Sequence, residues 1–331
     1  IWKIRFSSHL TGKHCYRTVC PDAASGLNGL TGSVEIIKYK GSNPLLKHGV
    51  LRVMPGKRYL EHIDGSPFFW LADTWWFGLS KRIRFPGEFK MLAHDRAAKG
   101  FSAIQIVVGF PSEKKPFDSK LANKAGFPWK KDFSGINPGY FDCADERIDC
   151  LVSRGLVPCI VGFWGYYMEL AGLEVIKKHW KYLIARYGAY PVIWCASGEA
   201  LLPFYGRQFG KTASERKRNK DEYNKKVRLG WTEAVRHIKD TDPFKHPVTI
   251  HPILGYGHDM VDDASILDIN LLQTGHTAHD TPANTITMLK SALNKTPGKP
   301  VLVAEACYEG ILDASWQDVQ RFLFWSSFIS G

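Results

Sequence analysis

From residue 67 to residue 331, short apolar runs alternate with longer amphipathic stretches, and this alternation most restricts what the chain can fold into. Strands are expected at 68–72, 103–108, 156–162, 192–196, 248–251, 269–273 and 301–304. Helices are expected at 86–99, 140–154, 173–187, 221–240, 287–294 and 316–330, the first opening on Pro86 and closing before Gly100. Strands that each feed a helix call for an α/β fold with a parallel sheet. Repeats of this kind over about 265 residues fit a (β/α)8 TIM barrel. An open doubly wound sheet would carry a glycine-rich phosphate loop after its first strand, and no GxGxxG follows Ala72. The eighth strand is expected beyond Gly331, so residues 46–331 read as a C-terminally incomplete barrel. Residues 1–45, with strand-like IWKIRF, YRTV and SVEIIKY, read as the remnant of a β-sandwich domain.

Two strand segments share one design. PVIWCASGE (191–199) and KPVLVAE (299–305) each run from a proline through an apolar stretch to a glutamate. A carboxylate leaving a buried strand must be paired, hydrated or reacting. In a barrel, reacting groups occupy the carboxyl ends of the strands. The fourth and seventh strands face each other across the ring, so Glu199 and Glu305 are expected to reach into one cup. That is the arrangement retaining glycoside hydrolysis needs, with one carboxylate as nucleophile and one as acid/base. Asp73, Gln105, Trp164, His251, Gln273 and His276 are expected on the same rim.

The formal charge of +12 admits nucleic acid, an anionic polysaccharide or a plain solvated surface as its cause. Its densest part, between Arg207 and Arg228, has nine basic residues against three acidic ones just after Glu199. An acidic or sulfated glycan could meet that run; no nucleic-acid-binding module accompanies it. The 11 Trp, 13 Tyr and 19 Phe suit sugar-facing aromatic platforms and a well-packed core equally. Seven cysteines form no CxxC metal pair, and a disulfide between Cys15 and Cys20 stays open. His251, His258, His276 and His279 with Asp280 raise a metal-dependent hydrolase as a third reading, but the first strand offers no ligand pair, so no metal and no cofactor are expected. No apolar run is long enough to span a membrane, and no leader opens the chain; any export signal would lie outside it.

The motifs PFFWLADTWW (67–76), DRAAKGFSAIQIVV (95–108), RYGAYPVIWCASGE (186–199), TIHP (249–252), LLQTGH (271–276) and AEACYEG (304–310) together resemble the apiosidase-like glycoside hydrolases over residues 48–331. The resemblance implies a clan A type barrel, often preceded by a β-sandwich, in a retaining hydrolase with Glu305 as nucleophile and Glu199 as acid/base. Members commonly read GGD where this chain has SGE at 197–199, so apiose is not the expected substrate. Within this reading Gln273, His276 and Tyr308 keep Glu305 ionised. Asp73, Gln105 and His251 bind sugar hydroxyls, and Trp75, Trp76 and above all Trp164 stack on sugar faces. The expected function is double-displacement cleavage of a plant or algal poly- or oligosaccharide by a secreted or periplasmic enzyme. A barrel that binds carbohydrate without cleaving it is the alternative.

Overall fold

The computed structural model describes residues 3–22 and 25–330. The N-terminal segment forms an antiparallel hairpin, β1 (Gly12–Arg17) with β2 (Thr31–Ile36). The expected sandwich remnant is thus one hairpin, because only the segments that find a ladder partner become strands. Lys3 to Phe6 are irregular, while Ile1 and Trp2 lie outside the described residues. Arg5 ties this segment to the barrel through Asp145 at 2.7 Å. Asp145 also accepts from Arg186 at 2.7 Å and is 18% exposed, so it is a structural partner and not a solvated charge.

Helix α1 (Pro44–His48) leads into a small antiparallel sheet of β3 (Leu51–Arg52), β4 (Leu60–His62) and β5 (Pro67–Phe68). The barrel then begins at β6 (Ala72–Trp75), not at the expected 68–72. Phe68 is already paired with Leu60, and only from Ala72 does the chain come into parallel register with Ala103. Next come α2 (Gly87–Ala98), β7 (Ala103–Phe110), α3 (Pro138–Val152), β8 (Val157–Trp164), short α4 (Tyr167–Leu170), α5 (Leu173–Tyr187), β9 (Ile193–Gly198), α6 (Ala213–Thr241) and β10 (Val248–Thr249). Strands β6 to β10 form one parallel sheet in chain order. Every residue of β7, β8 and β9 is buried, as befits parallel strands covered on both faces.

A short β11 (Gly255–Tyr256) pairs antiparallel with β12 (Asn270–Gln273); α7 (Thr281–Leu293) follows, and then β13 (Val301–Glu305), parallel to β12. Asp268 N donating to Val248 O at 2.9 Å and Thr249 Oγ1 donating to Ile269 O at 2.9 Å join this part to β10. Helix α8 (Gln317–Ser330) closes the described chain. Between β13 and β6 no ladder forms among the described residues. A channel of about 460 Å³ lies there, lined by Phe68, Leu71, Thr74, Val303, Phe324 and Phe328 among others. Gln105 Nε2 donates to Ala304 O at 3.2 Å from the far side of β6.

At the N-terminal end of the strands sits a closed polar knot. Asp242 Oδ2 accepts from Trp194 Nε1 at 2.9 Å, from the His246 amide at 2.9 Å and from His246 Nδ1 at 2.8 Å. Oδ1 accepts from the Phe244 amide at 3.0 Å, and His246 Nε2 donates to Tyr190 O at 2.9 Å. Both ring nitrogens of this buried imidazole face acceptors. Burial pushes the Asp242 pKa up, and the hydrogen bonds and charge of His246 with the Trp194 N–H outweigh it and hold it below the usual carboxylate range.

Candidate active site

Glu305 ends β13, and Gln273 ends β12 beside it. A register shift between Leu272 and Gln273 sets Gln273 opposite Glu305, and Thr274 N donates to Glu305 O at 3.0 Å. Glu305 is 7% exposed. Its Oε1 accepts from His276 Nε2 at 3.1 Å and from the Tyr308 hydroxyl, which in turn accepts from Trp76 Nε1 at 2.9 Å. Burial alone would raise the Glu305 pKa; the His276 hydrogen bond, the nearby His251 ring and Tyr308 outweigh it and keep the carboxyl below its ordinary value. The same bond holds the His276 imidazole above its ordinary value. Burial and the Glu305 charge push the Tyr308 phenol up, so it stays a donor.

Glu199 comes off the end of β9 at a turn. Its φ of 37° is left-handed, a conformation costing a non-glycine residue about 1 kcal/mol or more. Ala200 N donating to His251 O at 3.0 Å and His251 N donating to Ser197 O at 2.9 Å hold that turn. Glu199 Oε2 accepts from Trp164 Nε1 at 3.0 Å and Oε1 from Gln273 Nε2 at 3.2 Å. Leu254 N donates to Gln273 Oε1 at 3.1 Å, which fixes the orientation of that amide. His276 Nε2 also lies 3.2 Å from Gln273 Nε2, but with its proton directed at Glu305 it has no lone pair to offer, so the amide serves Glu199. One segment, Gln273 to His276, therefore holds both carboxylates.

His251 lies just past β10, is fully buried, and places Nε2 3.3 Å from Glu305 Oε2. Its Nδ1 donates to Pro252 O at 2.9 Å, so Nε2 is attractive to the carboxylate only when the ring holds a second proton. Among the described residues, neither Nε2 nor Glu305 Oε2 has a hydrogen-bond partner. The Trp76 ring meets His251 edge-on at 5.4 Å and Trp164 at 5.3 Å, which makes it the aromatic wall of the cup.

Four expected rim residues are placed otherwise. Side chains alternate along β6, and Asp73 and Trp75 fall on its outer side, against α2. Asp73 Oδ2 accepts from Arg96 Nε at 2.6 Å and from Trp75 Nε1 at 3.0 Å, while the Trp75 ring packs edge-on against Phe89 at 5.2 Å. Gln105 is 1% exposed inside the barrel and bonds to Ala304. Trp164 belongs to β8 and is 3% exposed, so it has no face free for a sugar and instead orients Glu199. A Cβ on Gly198 would come within 2.5 Å of the Trp164 ring, which lies directly on that backbone. Trp76 was readable from strand parity, being on the other side from Trp75. The bond from Trp164 to Glu199 left no mark in the sequence. His258 sits beside Asp259 at 3.3 Å and His279 beside Asp280 at 2.8 Å; among the described residues no group of three or more His, Cys, Asp or Glu is arranged to hold a metal ion. Cys15 and Cys20 are free thiols.

An α/β barrel with paired glutamates at strand ends is the class of protein these observations define. Residues 54–331 match the apiosidase-like catalytic domain, and the chain belongs to that family. A glycoside hydrolase family 5 structure from Bacteroides vulgatus ATCC 8482 is similar at 25% identity and TM-score 0.67, covering 88% of this chain and 62% of that one. A second structure from the same organism is 20% identical with TM-score 0.67, covering 98% of this chain and 60% of that one. The endo-1,4-beta-mannanase of Rhizomucor miehei shares the fold at 14% identity and TM-score 0.52, covering 76% and 80% of the two chains. The chain thus spans less than two thirds of the two Bacteroides structures. No curated protein matches it.

Proposed function

We propose that this chain is a retaining glycoside hydrolase that cleaves a plant or algal poly- or oligosaccharide outside the cytoplasm, secreted or periplasmic. The observation that carries the reading is that Gln273 reaches Glu199 while His276 reaches Glu305, so both carboxylates serve one cup. Glu305, held ionised, attacks the anomeric carbon as the bond to the leaving oxygen breaks. Glu199 donates its proton to that oxygen from a lone-pair position left open beside the Trp164 and Gln273 bonds. In the second step the Glu199 carboxylate takes a proton from water, and the water oxygen displaces Glu305 from the sugar. Trp76 supplies the sugar-facing ring.

Turnover of aryl glycosides and neutral and acidic oligosaccharides, with products resolved by anomer, tests this. Retained configuration is expected, with Glu305→Gln and Glu199→Gln each losing most activity and azide restoring the Glu199 variant on activated substrates. Inverted products would remove Glu305 as nucleophile. Binding without turnover by the unaltered chain would leave a carbohydrate-binding barrel in its place.

A further inference from the structure

Helix α6 takes no part in the chemistry above. Trp231 Nε1 donates to Ala200 O at 2.8 Å, and Ala200 follows Glu199, so Trp231 marks the level of the rim. From there the helix runs back to Ala213, about 27 Å at 1.5 Å per residue, on the side of the cup where Glu199 lies. Its body-facing stripe is buried and largely apolar where it packs, at Tyr223, Val227, Trp231 and Ala234. Continued at the same spacing, that stripe becomes Lys220 and Arg216, both exposed. Lys211 precedes the helix and Arg218, Lys225 and Lys226 project from its other sides, and none of these six cations forms an ion pair with a carboxylate among the described residues. Arg207 and Lys217, in contrast, are paired with Glu169 and Asp221.

Like charges four residues apart, such as Arg216 and Lys220, destabilise a helix, and a fixed anionic partner removes that cost. Arg216 and Lys220 stand about one helical turn apart on one face, roughly 6 Å, which suits a linear polymer bearing charge along its length. We propose that this ridge is a subsite for a polyanionic glycan, carboxylated or sulfated, whose chain leaves the cup over the β9 side of the rim. The proposal rests on the glycosidase reading for its location and on α6 for its chemistry.

The test is fluorescence anisotropy of labelled oligogalacturonate, sulfated galactan oligosaccharide, neutral galactan oligosaccharide and single-stranded DNA. Each is titrated with the full chain and with Arg216→Gln/Lys220→Gln. One of the two anionic glycans, whichever carries the matching group, is expected to bind more tightly than the neutral one. It should lose about three- to tenfold in affinity in the double variant, two surface pairs being removed. Neutral-glycan binding should not change. Titrations in a Glu305→Gln background should give the same result, so loss of the ridge and loss of the catalytic reading remain distinguishable. Unchanged anionic binding in the double variant, or no preference over the neutral glycan, would overturn the proposal. DNA binding as tight as the best glycan would assign the ridge to nucleic acid instead.

Discussion

The two ends of the barrel each bury a carboxylate against imidazole, and they differ in how completely the polar atoms are used. At the N-terminal end, Asp242 and His246 satisfy every donor and acceptor they present to one another and to Trp194, Phe244 and Tyr190. At the C-terminal end, Glu305 Oε2 and His251 Nε2 face each other at 3.3 Å without a hydrogen bond. A buried polar atom without a partner costs about 1–3 kcal/mol. The lower pair is closed within the fold, while the upper one leaves two buried polar atoms facing each other at the end of β13.

Reciprocal substitutions should break or confirm this contrast. The largest effect is expected at the upper site. Glu305→Gln should reduce kcat by about 10⁴-fold or more, with a denaturation midpoint at or above that of the unaltered protein. Asp242→Asn should do the opposite, costing about 3–5 kcal/mol of stability in denaturant titrations while leaving kcat of the folded enzyme within a small factor. Because the Asp242 pKa is lowered in the fold, its contribution is present above the unfolded carboxylate pKa and is lost as pH falls through the lower folded value. Acid unfolding of the Asn variant should show less pH dependence in that range. Trp164→Phe keeps the ring but removes the N–H to Glu199, and should slow turnover about tenfold. Smallest is His276→Asn, which removes the donor that favours ionised Glu305. The acid limb of the kcat/KM profile should then move to higher pH; a limb that stays in place would detach His276 from Glu305.

Much of this contrast was legible in the sequence. Strands β7, β8 and β13 announce themselves as apolar runs, and the glutamates at 199 and 305 stand out because each closes an apolar run that opens on a proline. β6 was misplaced because Pro67–Phe68 looks like a strand and is one, in a different sheet. The start of α6 was missed because residues 213–222 bury no apolar side chain, although Thr212 and Glu215 form a capping box. Asp73 and Trp75 were misread for want of strand parity. Trp164 was misread because Gly162 and Gly165 suggest a loop, whereas Gly162 lies within β8. The knot around Asp242 joins two segments about fifty residues apart, 190–194 and 242–246, and no local pattern marks it.

Gly198 has one more bearing on this site. With only hydrogen on the Gly198 α-carbon, the indole of Trp164 settles against the main chain, and its N–H holds the Glu199 carboxylate in place. On the proposed mechanism, an aspartate at 199 would draw the carboxylate back by about one carbon–carbon bond from the Trp164 N–H. On the same mechanism, the acid is placed from underneath, by the main chain at residue 198, as much as by the pocket it faces.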